Sequence, residues 1–170
     1  MRATPDLSTT VRQLALGALA LASTACLAGR RIGDEVVTTV RQAEVSFEFR
    51  SCARRRDILT CTLMVANEGR DAKLFLERKD VRAVADGVEL PIAQIRFGGT
   101  MVQEVNYILQ NGVPMKFEVD FANSRDIGDR LRVLEINISL FDRLATGEWT
   151  KNLLGEDLTR AVRFRNLKVE

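Results

Sequence analysis

The chain has 170 residues, of which 46% are hydrophobic, and this is enough to bury the core of one domain of ordinary size. The formal net charge is +2, from 25 Lys and Arg against 23 Asp and Glu, and this near balance argues against a dedicated nucleic-acid binder. Histidine is absent, so the chain lacks the usual general base near neutral pH and the commonest zinc ligand.

The first 26 residues have the layout of a secretory signal. A polar opening with Arg2 and Arg12 is followed by an apolar run from Leu14 and by small residues that lead to Cys26. This order predicts a signal peptide or membrane anchor over residues 1–26. The segment partly resembles the lipobox of bacterial lipoproteins, because a small residue precedes the cysteine, although Ser23 stands where leucine is usual.

A retained membrane helix is the alternative for this segment. The apolar run of residues 14–29 is shorter than the roughly 20 residues that span a bilayer, although Arg30 and Arg31 resemble a stop signal at its end. A soluble cytoplasmic protein is the third interpretation. We predict export, with the protein anchored at the periplasmic or extracytoplasmic side of a bacterial membrane.

A polar connector over residues 27–42 is predicted to lead into a β-domain over residues 43–170. The runs "VSFEFRSC" and "ILTCTLMV" alternate apolar and polar residues, and predict a hairpin with the tip "ARRRD". Opposed strand positions bring Cα atoms within disulfide distance, so we predict that Cys52 pairs with Cys61; two separate buried thiols are the alternative. The pairing leaves Cys26, the third cysteine, as the predicted site of lipid attachment.

Further alternating runs predict more strands along the rest of the chain. These runs are "AKLFLE", "RAVADGVELP" with a hairpin turn at Asp86–Gly87, "TMVQEVNYIL", "MKFEVDFAN", "RLRVLEINISLF" and "AVRFRNLKV". No segment after residue 42 has a convincing helical period. Seven to nine short strands predict an all-β fold, an antiparallel immunoglobulin-like β-sandwich, with a closed barrel as the alternative.

A family resemblance covers most of the chain after residue 44. The stretch "FEFRSCARRRDILTCTLMVANEGRDAKLFL", the later "NGVPMKFEVDF" and the terminal "VRFRN" resemble secreted bacterial immunoglobulin-like domains of unknown function, which are often found on lipoproteins. The shared pattern includes an Asn-x-Gly turn over residues 67–69 and a strand that begins after Pro114. The resemblance implies an extracytoplasmic location and a binding or scaffolding role, and it assigns no catalytic residues.

The predicted hairpin tip is a candidate binding site. Arg54, Arg55 and Arg56 are crowded there, where they could contact lipid phosphates, acidic polysaccharide or an acidic partner surface, or form only a solvated turn. Tyr107 and Trp149, each the only residue of its type, could mark an interface or cap the core. The unbroken apolar run "LFL" in residues 74–76 requires one side chain to face away from the sheet's core side.

Two groups of side chains with oxygen ligands could form a metal site or a catalytic site. Calcium ligands could come from Asn123, Asp126 and Asp129, and a carboxylate pair of glycosidase type from two of Asp80, Asp86, Glu89 and Glu104. The first spacing fits no EF-hand pattern and its residues are typical of turns, and nothing in the sequence selects two members of the second group. We therefore predict no metal site, no cofactor and no catalytic residues.

These features together predict an exported, membrane-tethered β-sandwich that binds or scaffolds an envelope or membrane protein and is not an enzyme. The nucleophile elbow, P-loop, dinucleotide-binding and CxxC motifs are absent from the sequence. The alternative is an accessory subunit of an integral membrane complex, held by an uncleaved N-terminal helix. A carboxylate-dependent hydrolase is the second alternative. The sequence does not identify a small-molecule ligand.

Overall fold

The computed structural model of the protein describes residues 38–150 and 160–170. The predicted signal or anchor, Cys26 and most of the predicted connector lie outside the described residues. Within the described part the fold is all-β, with thirteen strands and a single 3-10 turn at Arg78–Asp80. None of the described helical structure is long and apolar enough to cross a membrane.

The strands, numbered in chain order, form two antiparallel sheets. Sheet I contains, in spatial order, β1 (Thr39–Gln42), β2 (Val45–Arg55), β3 (Ile58–Asn67), β10 (Met115–Phe121), β7 (Ile92–Phe97) and β8 (Thr100–Val102). Sheet II contains β6 (Val88–Leu90), β5 (Val81–Ala85), β11 (Arg130–Arg143), β4 (Ala72–Glu77) and β9 (Glu104–Leu109), and β12 (Trp149–Thr150) and β13 (Arg160–Lys168) also pair with β11. The prediction of two antiparallel sheets is confirmed.

A β-bulge in β2 explains how both cysteines face the core. Val45 and Phe47 point inward at odd positions, and strict alternation would turn Cys52 outward. The register between β2 and β3 shifts at Arg50, so that Phe49 lies opposite Leu63 and Cys52 lies opposite Cys61. The extra residue changes which face the later side chains take.

Strand β11 organises sheet II. Strands β4 and β5 lie end to end along one side of β11, with Leu74 opposite Leu140 and Ala83 opposite Leu134. The 3-10 turn separates them, and the Asp80 carboxylate accepts a hydrogen bond from the backbone N–H of Glu77 at 2.8 Å. Strand β13 pairs along the other side of β11. The whole outer surface of sheet II is therefore set by the register of β11.

The core lies between the sheets and draws on both. Its largest fully buried side chains are Phe47, Phe117, Phe121, Phe164, Leu59, Leu63, Leu74, Leu76, Ile95, Leu109, Leu131 and Leu134. All the buried hydrophobic residues of the described part lie between Val45 and Val169. A chain that begins after Cys26 therefore contains this entire core.

The strand count exceeds the predicted seven to nine because the sequence runs break where the chain changes sheets. The run "TMVQEVNYIL" divides into β8, an edge of sheet I, and β9, an edge of sheet II. Strand β1 lies in the predicted connector, and β7 was not predicted.

The Asp86–Gly87 hairpin turn is confirmed, with both residues at positive φ. In the "LFL" run, Leu74 and Leu76 are buried and Phe75 is the one that faces away.

Candidate functional site

The two cysteines of the hairpin form a disulfide bond. Their Cα atoms are 4.1 Å apart, and both residues are completely buried. Glu170 pairs with β2 beside the disulfide. Its N–H donates to the Cys52 carbonyl at 2.8 Å, and its carbonyl accepts from the Arg54 N–H at 2.8 Å. The disulfide therefore lies where β2, β3 and the end of the chain meet.

The structure divides the arginine triplet at the hairpin tip. Arg54 is half-buried, and its guanidinium donates to the carbonyls of Ser124 (3.4 Å) and Ile127. Arg55 and Arg56 are exposed at the turn. Arg54 is thus held by contacts within the protein, whereas its two neighbours project into solvent.

We expect Arg54→Ala to lower the free energy of unfolding by about 1–2 kcal/mol, because two carbonyls of the 124–127 loop lose a charged donor. The matched variant Arg55→Ala removes an exposed side chain and should change stability by less than about 0.5 kcal/mol. Urea unfolding of both variants measures the difference. Equal effects would show that Arg54 does not hold the loop.

The three residues that could have supplied calcium ligands, for which no metal site is predicted, lie in a turn, take part in backbone pairing or are exposed on the surface. Asn123 adopts positive φ in a turn, and the Asp129 carbonyl accepts a hydrogen bond from the Val169 N–H at 2.8 Å. Asp126 is exposed. The described residues contain no group of three or more His, Cys, Asp or Glu that could hold a metal ion.

Three of the four candidate catalytic carboxylates form hydrogen bonds or ion pairs within the protein. Asp80 accepts from the Glu77 N–H, as described above, and Asp86 accepts from the Gly128 N–H at 2.8 Å. Glu89 forms an ion pair with Arg82 at 2.9 Å. These contacts stabilise turns and the outer surface of sheet II.

Tyr107 lies at the open edge of the sandwich, where β8 and β9 are both edge strands. It is 44% exposed, and its ring packs on Phe97 with 5.3 Å between the centroids. A cleft of about 320 Å³ between the two edges is lined by both residues and by Val102. Trp149 instead stacks against the Arg143 guanidinium, 6.0 Å from the ring centroid.

A polar network covers part of the outer face of sheet I. Arg96 holds Asp120 with two hydrogen bonds, of 2.9 and 3.1 Å, and Asp120 also accepts from the Thr60 hydroxyl at 2.7 Å. Glu118 accepts from Arg96 at 3.3 Å and pairs with Lys116 at 2.8 Å. Burial favours the neutral form of Glu118, but hydrogen bonds and charge from Lys116 and Arg96 outweigh it and lower the pKa of Glu118.

This shift predicts a pH dependence of stability. A lowered folded-state pKa means that ionised Glu118 stabilises the protein above the unfolded-state pKa, and that this contribution is lost as pH falls through the folded-state value. We expect Glu118→Gln to be less stable than the wild type at pH 7 and to approach it below about pH 4. Urea unfolding across this range measures the difference. A difference that stays constant with pH would contradict the assignment.

Sheet II carries a basic surface that was not predicted from the sequence. We call this surface the arginine face, and its six exposed cations are Arg82, Arg130, Arg132, Arg163, Arg165 and Lys168. They lie on three neighbouring strands, β5, β11 and β13. Four of the arginines line a depression of about 300 Å³ together with Glu135, Val84 and Val133. The alternating arginines of "RLR" and "RFR" are the sequence signal that could have indicated it.

The arginine face has more cations than local carboxylates. Glu135 lies between Arg163 and Arg82 in the strand register and forms an ion pair with Arg163. Arg82 pairs with Glu89, as noted above. Within residues 38–150 and 160–170, neither Arg132 nor Arg165 forms an ion pair. The depression therefore retains two arginines whose charge nothing in the described fold neutralises.

The chain has similarity to solved structures but to no family model. No family model matches the chain, and no curated protein matches it. The chain is similar to a candidate lipoprotein, ycdA, from Bacillus subtilis subsp. subtilis str. 168, with 9% sequence identity and a TM-score of 0.41. The similarity covers 78% of this chain and 39% of that chain. It is a resemblance at the level of the fold and assigns no role to any residue.

Proposed function

We propose that the protein is an exported, membrane-tethered β-sandwich of immunoglobulin-like type that binds or scaffolds another component of a bacterial envelope, without catalysis. The observation that carries this proposal is the buried disulfide between Cys52 and Cys61. Structural disulfides persist in oxidising compartments and are rare in the cytosol. Together with the signal-like residues 1–26, the disulfide favours a location at the periplasmic or extracytoplasmic side of the membrane.

The proposed tether is a lipid on Cys26. Two of the three cysteines of the sequence are used in the disulfide, and this leaves Cys26, at the end of the apolar leader, for modification. An anchor of this kind confines the domain to a layer near the membrane and raises its effective concentration toward partners there. Tethering is thus the physical basis of the proposed binding role.

The proposed partner is an envelope or membrane protein with an acidic surface. Arg55 and Arg56 project from the hairpin tip, and two exposed guanidinium groups suit hydrogen bonds to carboxylates. Arg54 supports the tip from within by holding the 124–127 loop. Arg54 is therefore proposed to fix the position of the tip, and Arg55 and Arg56 to contact the partner.

Mass spectrometry of the protein purified from membranes tests the proposal. We expect a mature chain whose first residue is diacylglyceryl-modified Cys26, and we expect Cys26→Ala to abolish this product. An intact N-terminus that starts at Met1 would contradict lipid anchoring and support the accessory subunit with an uncleaved helix. An unmodified chain in the cytosolic fraction would contradict export.

A further inference from the structure

The arginine face concentrates positive charge on a protein that is nearly neutral overall. Arg130 lies directly opposite Lys168 in the register of β11 and β13, and neither forms an ion pair within the described ranges. Like charges at opposed strand positions repel each other. Together with unpaired Arg132 and Arg165 they form a surface that an anionic ligand would stabilise.

The chemistry of this surface suits phosphate. A guanidinium group can donate two parallel hydrogen bonds to a phosphate, and arginine is more weakly hydrated than lysine. The cations lie on the outer side of a sheet, in neighbouring strands. They can therefore contact several anionic groups that lie in one plane. The depression of about 300 Å³ between them has room for a phosphate-bearing headgroup.

The described part of the chain begins just before β1, a strand of sheet I that contacts β13 of sheet II. The carbonyl of Thr38, the first described residue, accepts a hydrogen bond from the Phe49 N–H at 2.7 Å. The Phe49 ring packs against Phe164, with 6.2 Å between centroids, and Phe164 lies between Arg163 and Arg165 in β13. The described chain therefore begins near β13, where the Phe164 ring points into the core and the Arg163 and Arg165 side chains point to the opposite face of the strand.

The length of the segment between Cys26 and Thr38 keeps the domain close to the bilayer. From Cys26 to Thr38 the chain reaches about 40 Å at most when fully extended. The diacylglyceryl group proposed for Cys26 carries two acyl chains and is sufficient for stable attachment, so a basic surface would determine how the domain is oriented on the bilayer. Of the anionic surfaces that could meet the arginine face, the bilayer is the one that the proposed tether holds within reach.

We propose that the arginine face binds the phosphate groups of anionic phospholipids in the membrane to which the protein is anchored. Its orientation rests on the proposed tether, but the binding itself is a property of the folded domain. The face then lies against the membrane, and the tether and the face act at the same surface.

Vesicle sedimentation with the untethered chain, residues 27–170, tests binding separately from anchoring. The vesicles consist of phosphatidylcholine alone or of phosphatidylcholine and phosphatidylglycerol in equal parts. We expect binding only to the mixed vesicles, weakened by added salt. The double variant Arg132→Gln/Arg165→Gln should bind the mixed vesicles at least about tenfold more weakly, since each basic residue near an anionic surface contributes about fivefold.

The matched control is Arg41→Gln/Arg50→Gln, which removes the same charge from exposed positions in β1 and β2 of sheet I. We expect the control to weaken binding by less than about threefold, and Arg132→Lys/Arg165→Lys to retain most of it. Equal losses in the two Gln variants would overturn the proposal, as would absence of wild-type binding to the mixed vesicles. Inorganic phosphate at constant ionic strength should displace the vesicles only at concentrations well above that of the accessible lipid phosphate. Displacement at equal or lower phosphate concentration would overturn the proposal, as would preference for an acidic polysaccharide or protein. Because this chain lacks the leader, failure here leaves the mass-spectrometric test of anchoring unaffected.

Discussion

Replacing Cys52 and Cys61 with alanine is expected to lower the free energy of unfolding by about 3–5 kcal/mol. Closing a loop of this size in the unfolded chain accounts for about 2.7 kcal/mol in the chain-entropy model. The rest comes from the lost packing of two completely buried sulfur atoms. Urea unfolding of the wild type and the double variant at neutral pH measures the sum.

Reduction separates the two contributions. Dithiothreitol should destabilise the wild type by the loop contribution alone, because the sulfur atoms stay in place. The same treatment should leave the double alanine variant unchanged. A wild type whose stability does not respond to reduction under unfolding conditions would contradict a stabilising disulfide.

Asn67→Ala is expected to lower the free energy of unfolding by about 2–4 kcal/mol, because the Asn67 side chain joins the end of β3 to the end of β9 by a hydrogen bond. Asn67 is 1% exposed, and its side-chain amide donates to the carbonyls of Arg70 (2.7 Å) and Leu109 (3.0 Å). Its side-chain oxygen accepts from the Gly69 N–H at 3.1 Å. The substitution leaves these backbone groups without their partner between the two sheets. Urea unfolding measures the loss.

Two further variants test this assignment. Asn67→Asp keeps the acceptor for Gly69 but removes both donated hydrogen bonds, so we expect it to be at least as destabilising as Asn67→Ala. Asn106→Ala makes the same change at an exposed position of β9 and should cost less than about 0.5 kcal/mol. An Asn67→Asp variant as stable as the wild type would contradict the role of the donated bonds.

Local alternation predicted the strands well where one strand keeps one face toward the core. Strand β3 and the run from Met115 to Phe121 both follow from period two, and β2 follows from it only on each side of its bulge. The bulge at Arg50 could not be predicted, because a register shift depends on the partner strand. Assignment of strands to sheets was also out of reach, since β8 and β9 are adjacent in sequence but belong to opposite sheets.

The candidate site depends even more on contacts between distant parts of the chain, and so less of it could be predicted from the sequence. The arginine triplet was visible as a run of like residues, yet only the folded loop shows that Arg54 reaches the Ile127 carbonyl. The arginine face was not visible as a run at all. It forms because Arg132 on β11 and Arg165 on β13 line one depression with Arg82 of β5. Pairing between distant strands, not local pattern, brings these charges together.

Thiol alkylation in living cells tests the central claim, that this sandwich folds outside the reducing cytosol. Cells that express the full chain are treated with a maleimide, and membrane and cytosolic fractions are prepared. The protein in each fraction is then unfolded in denaturant and alkylated before and after reduction, because both cysteines are completely buried in the folded protein. We predict that Cys52 and Cys61 react only after reduction and that the protein is in the membrane fraction. Both thiols reacting without reduction, in protein recovered from the cytosol, would contradict the account.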